Sequence, residues 1–286
     1  MKILLTGASG FIGRNLKEYL EERYELAAPD RKTLDLTNQE KVGKYLSKYS
    51  FDVVLHCANT NDVTYNVTDF DILNQNLQMF YNLESCKDLY GKMYYFGSGA
   101  EYDMRHYIPK MKETYFGTYI PQDPYGFSKY TMSKIAEQSS NIYDLRLFGV
   151  YGKYEEWNRR FISNNLCKSI KGLNMTVNKN VRFDYMYIDD LCEIVEWFIR
   201  NEPGYKHYNV CTGNVLDLCS IAEKINQVTG MNREIKVFEE GWRPEYSGDN
   251  SRLRNEIENL QFTPMMSAIN ELYQYYRTVE DEIHFI

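Results

Sequence analysis

Near its beginning the chain reads MKILLTGASGFIG (residues 1–13), an apolar run followed by three glycines spaced three residues apart. Residues 2–6 have the pattern of a buried strand, and residues 11–22 have that of a helix. Glycines in this arrangement allow a tight turn, a close approach of the backbone to a ligand, and close packing of helix on strand. The segment therefore predicts a strand, a turn and a helix whose free N-terminal amides face an anion.

The anion that such a strand–turn–helix unit binds is typically the pyrophosphate of a dinucleotide. A plain structural turn is the competing interpretation, and the position of the glycines directly after the first strand argues against it. We therefore expect this segment to bind a dinucleotide through Gly7, Ser9, Gly10, Phe11, Ile12 and Gly13.

The end of the second predicted strand bears on the choice between NAD and NADP. Asp30 could bind the ribose hydroxyls of NAD, whereas Arg31 could bind the 2′-phosphate of NADP. Both residues are present, and Arg31 tips the expectation slightly toward NADP. Asp35 and Leu36 follow, where an adenine edge could be held. Either carboxylate could equally be a solvated turn residue.

Strand and helix patterns alternate through the first half of the chain. Strands are predicted at 24–29, 52–57, 92–97 and 143–148, and helices at 39–49, 72–90 and 125–141. Such alternation predicts an α/β fold with a doubly wound parallel sheet. The strands are apolar runs without strict alternation, as expected when helices cover both faces of the sheet.

Beyond about residue 150 the alternation gives way to helices separated by short strands and polar loops. These helices are predicted at 160–171, 190–201, 217–229 and 265–277. We infer a smaller C-terminal substrate-binding lobe. The predicted division is 1–155, joined by returning segments near 181–212, for the dinucleotide-binding domain and mainly 156–286 for the second lobe.

Composition excludes several other classes of protein. The net charge of −7 at pH 7, without a basic cluster, argues against nucleic-acid binding. No apolar stretch approaches the ~20 residues of a membrane span. The four histidines are isolated, so no metal site is expected. The six cysteines form no CxxC pair, which favours reduced thiols in a cytoplasmic protein.

Tyr125 and Lys129 form a YxxxK pair, the pattern of a tyrosine with a lysine one helical turn above it. With 26 tyrosines in the chain, roughly two such pairs are expected by chance, so the context has to decide. Asp123 and Pro124 precede the first pair as a helix-start signal. A second pair begins at Tyr130, on a different side of the same helix. We therefore assign the chemistry to Tyr125 and Lys129.

The spacing suits transfer of a hydride to or from a carbinol carbon, which needs a matching proton at the oxygen. A phenol of ordinary pKa near ~10 is a poor base at neutral pH. The ammonium group of Lys129, together with a cationic nicotinamide, is expected to stabilise the phenolate of Tyr125 and to lower its pKa. Ser98 follows the next apolar strand, and its hydroxyl could polarise the reacting oxygen.

Six segments of the chain together resemble the extended short-chain dehydrogenases, the family of nucleotide-sugar epimerases and dehydratases. They are TGASGFIG (6–13), DVVLHCAN (52–59), FGSGAEY (96–102), PYGFSK (124–129), LRLFGVYG (145–152) and RFDYMYIDDL (182–191).

The resemblance implies a Rossmann domain that binds NAD or NADP and a second lobe that binds a nucleotide-diphosphate sugar. It implies Ser98, Tyr125 and Lys129 as the catalytic residues, with Tyr125 and Lys129 also contacting the dinucleotide. Cys57, Ala58 and Phe148 are then expected beside the cofactor. A homodimer is also expected from the resemblance.

Departures from the family narrow the reaction. In 4,6-dehydratases an Asp-Glu pair follows the catalytic hydroxyl residue, but Gly99 and Ala100 stand here. In fucose-synthase-like epimerase-reductases a cysteine and a histidine exchange protons, and the matching positions are Ala100 and the neighbourhood of Arg160. Reduction of a 4-keto sugar by NADPH and 4-epimerisation with bound NAD remain. Residues 31–37 are similar to those of the 4-ketoreductases, which favours reduction.

Two arginines approximate the positions where the family binds the substrate diphosphate, Arg182 and Arg243. Two functions of other classes are also open: a non-catalytic dinucleotide sensor, and a structural protein that binds a partner through its tyrosine-rich 102–119 loop. Retention of all three catalytic residues argues against a sensor, which has no use for proton transfer. The loop is better explained as a substrate lid or a dimer-edge segment.

Overall fold

The computed structural model describes residues 1–60 and 68–285. The strands are Lys2–Thr6 (β1), Glu25–Ala27 (β2), Phe51–His56 (β3), Tyr90–Ser98 (β4), Ile142–Leu147 (β5), Gly149–Tyr151 (β6), Met175–Asn180 (β7), Arg182–Phe183 (β8), Tyr185–Tyr187 (β9), His207–Val210 (β10), Leu216–Asp217 (β11) and Ile235–Trp242 (β12).

The α-helices of this part of the chain alternate with the strands in its first half and dominate its second. They are Phe11–Leu20 (α1), Gln39–Lys48 (α2), Asp69–Glu84 (α3), Pro124–Gln138 (α4), Phe161–Ile170 (α5), Ile188–Arg200 (α6), Leu218–Thr229 (α7), Ser251–Glu256 (α8) and Met265–Thr278 (α9).

Six strands form a parallel sheet in the order β2, β1, β3, β4, β5, β10. The strand order reverses between β1 and β3, and ligands of such sheets bind outside the carboxyl ends of the strands at this reversal. In register, Thr6 lies opposite His56 and Ser98 opposite Leu147. The glycine turn and Ser98 therefore lie at one edge of the sheet. The predicted Rossmann-type α/β fold is confirmed.

Helices cover both faces of this sheet, because neighbouring side chains of a strand point to opposite faces. Leu5 of β1 packs with Leu16 of α1 in the larger apolar cluster. Leu4, the preceding residue, packs with Phe80 of α3 and Met132 of α4 in the second cluster. Such double coverage explains the unbroken apolar runs of the strands.

The remaining strands pair in twos within the C-terminal half: β6 with β9, β7 with β12, and β8 with β11. The patterns of the sequence did not predict these short pairs or α8. The helix predicted at 72–90 in fact begins at Asp69, where Thr68 forms a capping box with Asp71, and it ends at Glu84. No helix of the described residues is both long and apolar enough to cross a membrane. The predicted domain boundary near residue 155 stays a prediction.

Candidate active site

The glycine turn after β1 is packed so closely on its neighbours that side chains would not fit there. Gly7 has φ of +69°, and a methyl group there would lie 2.5 Å from the backbone nitrogen of Ala58. A methyl group on Gly13 would overlap the carbonyl oxygen of Gly7, so α1 packs closely on the turn. Gly10 caps α1 without a side-chain hydrogen bond. The first amides of the helix are thus left to a ligand, and the turn fits a pyrophosphate.

The other residues predicted to contact a dinucleotide surround this turn. Ser9 is exposed on it, and Phe11 and Ile12 are half-buried on the first turn of α1. Cys57 and Ala58 are half-buried directly after β3, against Gly7. The structure brings all of these residues to one edge of the sheet.

The two acids after β2 form local turns. The Asp30 carboxylate accepts from the backbone N–H of Thr33 at 2.8 Å, and this hydrogen bonding lowers the pKa of Asp30. The Asp35 carboxylate accepts from both the hydroxyl (2.7 Å) and the backbone N–H (3.1 Å) of Thr37, which lowers its pKa.

Arg31 is exposed beside Asp35, whose pKa its charge also helps to lower. Leu36 is only 7% exposed and packs in the second apolar cluster, so its backbone is the part available to a ligand. Both acids are therefore turn-forming residues, and Arg31 is the open charged side chain beside them.

The sequence positions Tyr125 and Lys129 through the start of α4. Its first turn is capped by the Asp123 carboxylate, which accepts from the N–H of Gly126 at 2.7 Å, with Pro124 at the first helical position. The Lys129 ammonium donates to the Phe96 carbonyl oxygen at 2.8 Å and lies 5.8 Å from the centroid of the Tyr125 ring.

Ser98 ends β4 next to this helix. Its hydroxyl oxygen accepts from the N–H of Ala100 at 3.2 Å, and hydrogen bonding to Ser98 acts to lower the pKa of Tyr125. The Tyr125 ring is 37% exposed, so a substrate can reach it. Ser98, Tyr125 and Lys129 thus come together as the sequence predicted.

Burial dominates the proton affinities of this group. It raises the pKa of Tyr125 above its ordinary 10.0, against the opposing effects of Ser98 and the charge of Arg160. It lowers the pKa of Lys129 to about 8, while Glu101 and Asp144 act to raise it. Desolvation thus outweighs the groups that act to lower the pKa of Tyr125, which is a neutral phenol at neutral pH. That Lys129 lowers this pKa together with a bound nicotinamide stays a prediction.

An ionic cluster of three wholly buried side chains, Glu101, Asp144 and Arg146, lies behind Ser98. The Arg146 guanidinium donates to Glu101 at 2.7 Å and to Asp144 at 2.8 Å. The Ser133 hydroxyl also donates to Asp144, at 2.6 Å. Glu101 in turn accepts from the backbone N–H of Ser98 at 2.9 Å. The cluster thereby fixes the end of β4 that carries Ser98.

The two carboxyl groups of the ionic cluster share a small volume. A methyl group on Gly97 would overlap an oxygen of each, so only glycine fits at that position. Burial and the adjacent Asp144 raise the pKa of Glu101 well above its ordinary range. Both carboxyl groups act to raise the pKa of Lys129 and so favour its ammonium form.

Tyr246, which the sequence analysis missed, also reaches Ser98. A methyl group on Gly99 would overlap its hydroxyl and lie 2.9 Å from its Cζ. Hydrogen bonding to Ser98 acts to lower the pKa of Tyr246, which burial nevertheless raises above its ordinary value. Three hydroxyl groups, those of Ser98, Tyr125 and Tyr246, therefore meet. No motif marks Tyr246, which lies 121 positions from Tyr125 in sequence.

Tyr246 belongs to an aromatic cluster, defined as Tyr107, Phe148, Phe183 and Tyr246. Its ring centroid lies 5.1 Å from that of Tyr107, 5.2 Å from Phe148 and 4.8 Å from Phe183. Phe148, predicted beside the cofactor, follows β5 at the carboxyl edge of the sheet and packs against Gly99 and Gly248. The aromatic cluster forms the side of the site at Gly99, and the ionic cluster forms the side at Gly97.

The two arginines predicted to bind diphosphate lie next to Tyr246. The backbone N–H of Tyr246 donates to the Arg182 carbonyl oxygen at 2.9 Å, and the backbone N–H of Arg243 donates to the Asn180 carbonyl oxygen at 2.8 Å. Both arginine side chains are exposed. The Arg182 guanidinium lies 5.6 Å from the ring centroid of Trp242. Two exposed cations and an aromatic ring thus lie close to the segment that carries Tyr246.

The second YxxxK pair is engaged elsewhere. Lys134 donates to Glu137 at 3.0 Å and lies 4.6 Å from the centroid of the Phe116 ring. Across residues 1–60 and 68–285, no group of three or more His, Cys, Asp or Glu side chains is arranged to hold a metal ion.

Comparison with known proteins identifies a family and several relatives of this chain. The sequence profile of the NAD dependent epimerase/dehydratase family matches residues 3–211. The GDP-6-deoxy-D-talose 4-dehydrogenase of Aggregatibacter actinomycetemcomitans is 27% identical over 294 residues, covering 96% of this chain and 97% of that protein. The GDP-L-colitose synthase of Yersinia pseudotuberculosis is 25% identical over 224 residues, covering 70% of this chain and 73% of that protein.

Among solved structures, the GDP-L-fucose synthetase of Naegleria fowleri bound to NADP superimposes on 98% of this chain and 93% of its own, with a TM-score of 0.85. The two sequences are 16% identical over this alignment. The overall folds of the two chains therefore agree.

Proposed function

Since the chain belongs to the NAD-dependent epimerase/dehydratase family, we propose that it is a nicotinamide-dinucleotide-dependent oxidoreductase that reduces the 4-keto group of a nucleotide-diphosphate 6-deoxy sugar. The observation that carries this proposal is the meeting of Ser98 with a neutral Tyr125 phenol above Lys129, at the edge of the sheet that holds the glycine turn. Reduction requires a proton donor at the ketone oxygen, and a phenol of raised pKa is one.

The relatives support chemistry at C4 of a guanosine-diphosphate sugar. One is named a 4-dehydrogenase of GDP-6-deoxy-D-talose and the other a GDP-L-colitose synthase. Oxidation of 6-deoxytalose at C4 removes that stereocentre, so the product is the ketone also obtained from 6-deoxymannose. We therefore propose GDP-4-keto-6-deoxy-D-mannose as the substrate to be tried first.

The glycine turn and the residues around it would hold the dinucleotide, with NADP favoured over NAD because Arg31 is exposed and both nearby acids are engaged in turns. When bound, the reduced dinucleotide supplies the hydride, which adds to C4 of the sugar. The ketone oxygen takes the proton of Tyr125. The Lys129 ammonium stabilises the phenolate that remains until a proton from solvent restores the phenol.

The positions at which related enzymes carry the groups for water elimination and for ring epimerisation hold other residues in this chain. Gly99 and Ala100 offer no acid or base, and the space beside Gly99 is taken by Tyr246. Arg160 stands near the position of the family's histidine, and a guanidinium offers no acceptor for a proton.

Turnover of the ketone with NADPH or NADH tests the proposal directly. We expect reduction, with NADPH preferred, and a single C4 epimer as product. Tyr125→Phe should lower kcat by about 10²- to 10⁴-fold, because the proton donor is lost, while the dinucleotide Kd stays the same. A Tyr125→Phe enzyme as active as the native one would refute the mechanism.

Two rival functions have distinct outcomes in the same assays. A 4-epimerase would retain NAD through purification and interconvert the 4-hydroxyl sugars without added dinucleotide. A dinucleotide sensor would bind NADPH and turn over none of these sugars.

We also propose that the enzyme is a cytoplasmic homodimer. All six cysteines are free thiols, which suits a reducing compartment. The family associates through the helices that correspond to α3 and α4, and large apolar side chains are exposed there: Phe70 (70%), Tyr81 (42%) and Phe127 (39%). Light scattering of the purified chain should give twice its mass of 33.9 kDa.

A further inference from the structure

Tyr246 brings a third hydroxyl group to Ser98 from the C-terminal half of the chain. The residue that faces it is Gly99, where any side chain would overlap the Tyr246 hydroxyl. The ring is packed against three aromatic side chains within 5.2 Å, centroid to centroid. Gly99 and the three aromatic rings together therefore hold the Tyr246 phenol in one orientation.

The backbone of Tyr246 is held as firmly as its ring. Its N–H donates to Arg182 at 2.9 Å, and its carbonyl oxygen accepts from the N–H of Asp184 at 3.0 Å. The next residues pair with the 102–119 loop, since the N–H of Met111 donates to Ser247 at 3.0 Å and that of Asp249 to Met111 at 2.9 Å. The loop that the sequence analysis predicted as a lid or dimer edge therefore clamps the Tyr246 segment. Such double support is what preorganises a binding group.

We propose that Tyr246 contacts the sugar directly, hydrogen-bonds an oxygen at or beside C4, and fixes the ring so that hydride adds to one face only. The proposal rests on the proposed function, because it names the residue that sets the stereochemistry of the same reaction. A 4-epimerase must let the transient ketone rotate within the site, so that hydride can return to the other face of C4. The Tyr246 ring, packed between Gly99 and the other three rings of the aromatic cluster, opposes that rotation.

Tyr246→Phe removes the hydroxyl and keeps the ring. We expect kcat/KM for GDP-4-keto-6-deoxy-D-mannose to fall about 10- to 100-fold, as when one hydrogen bond to a desolvated group is lost, with the NADPH Kd unchanged. Tyr246→Ala also removes the ring, and the product should become a mixture of the 6-deoxytalose and 6-deoxymannose epimers. A value of kcat/KM within twofold of the native enzyme for Tyr246→Phe, or a single epimer from Tyr246→Ala, would overturn the proposal.

Tyr107→Phe is the matched control, since it removes a hydroxyl from the same aromatic cluster. That hydroxyl donates to the Ser247 carbonyl oxygen at 3.1 Å and not toward Ser98. The control should lower the melting temperature more than Tyr246→Phe does, and kcat/KM less. An equal loss of kcat/KM in both variants would mean that Tyr246 acts through packing alone.

Gly99→Ala displaces the Tyr246 hydroxyl without altering its chemistry. Because Gly99 and Tyr246 then act through the same contact, the double variant Gly99→Ala/Tyr246→Phe should lose less than the product of the two single losses. Fully multiplicative losses would contradict the shared contact.

A direct binding measurement separates this proposal from the proposed function. Titration calorimetry with GDP-mannose on the NADPH-bound enzyme should show weaker binding for Tyr246→Phe than for Tyr107→Phe. That difference is expected even if the native chain fails to reduce the 4-keto sugar, in which case the proposed reaction is wrong and the sugar contact stands. Equal affinities of the two variants for GDP-mannose would refute the contact between Tyr246 and the sugar, whatever reaction the enzyme performs.

Discussion

The two sides of the site are built differently. The ionic cluster, from the parallel sheet, consists of three charged side chains with no exposed surface, joined by bonds of 2.7 and 2.8 Å. The other side is aromatic and partly open, and near it Trp242 is 58% exposed. The first side fixes Ser98 in place. The second has surface left for a ligand.

The difference separates chemistry from recognition. Charges buried in the sheet set the position and proton affinity of the reacting groups, and they can be altered only at a cost to folding. Exposed cations and rings near Tyr246 can vary with little effect on the fold. Variants of the ionic cluster should therefore change stability and activity together, whereas variants of the exposed cations near Tyr246 should change substrate binding alone.

The largest effect is expected from Arg146→Met, which keeps the volume and removes the charge. It leaves Asp144 as an uncompensated buried carboxylate, so the free energy of unfolding should fall by about 3–5 kcal/mol. Urea denaturation followed by circular dichroism measures this. Arg200→Met is the control, because its ion pair with Glu196 is on the surface, and the unfolding midpoint should hardly move. Similar midpoints for the two variants would remove the distinction between the two sides.

A smaller effect is expected from pH, through Lys129. Its pKa is lowered to about 8 by burial, so the ammonium is present below that pH and lost as the pH rises through it. The kcat for reduction should therefore fall roughly tenfold per pH unit above about 8.

Stability should move in the opposite direction. Between pH 8 and 10.5 the unfolded chain binds the proton that native Lys129 has released, so this group adds stability as the pH rises. Measuring kcat and the urea midpoint across the same range separates the two. A kcat that stays flat to pH 10 would show that the Lys129 charge takes no part in the reaction.

The sequence was sufficient for the parts of the site that are local. The glycine turn, Ser98 and the Tyr125–Lys129 pair each depend on a few adjacent residues at the end of a strand or the start of a helix. Their elements could be predicted from apolar runs and a helix-start signal. The parallel sheet then places the ends of neighbouring strands together without further information.

The sequence was insufficient where the site depends on distant contacts. Arg146 and Glu101 are 45 positions apart and read as ordinary charged residues, yet both are wholly buried. Whether a buried charge finds a partner is decided by tertiary packing, which periodicity does not encode. The same is true of Tyr246, one of 26 tyrosines, and of the pKa of Tyr125, which burial raises.

The smallest effect is expected on the open side, from Arg243→Lys. The exchange keeps the positive charge and loses the planar fork that binds phosphate oxygens in pairs. The KM for the GDP-sugar should rise about three- to tenfold, with kcat and the melting temperature unchanged. Arg277→Lys, on α9 and paired with Glu280, is the matched control and should leave KM alone. If Arg243→Lys shifts the melting temperature and leaves KM unchanged, Arg243 stabilises the fold and does not bind the diphosphate.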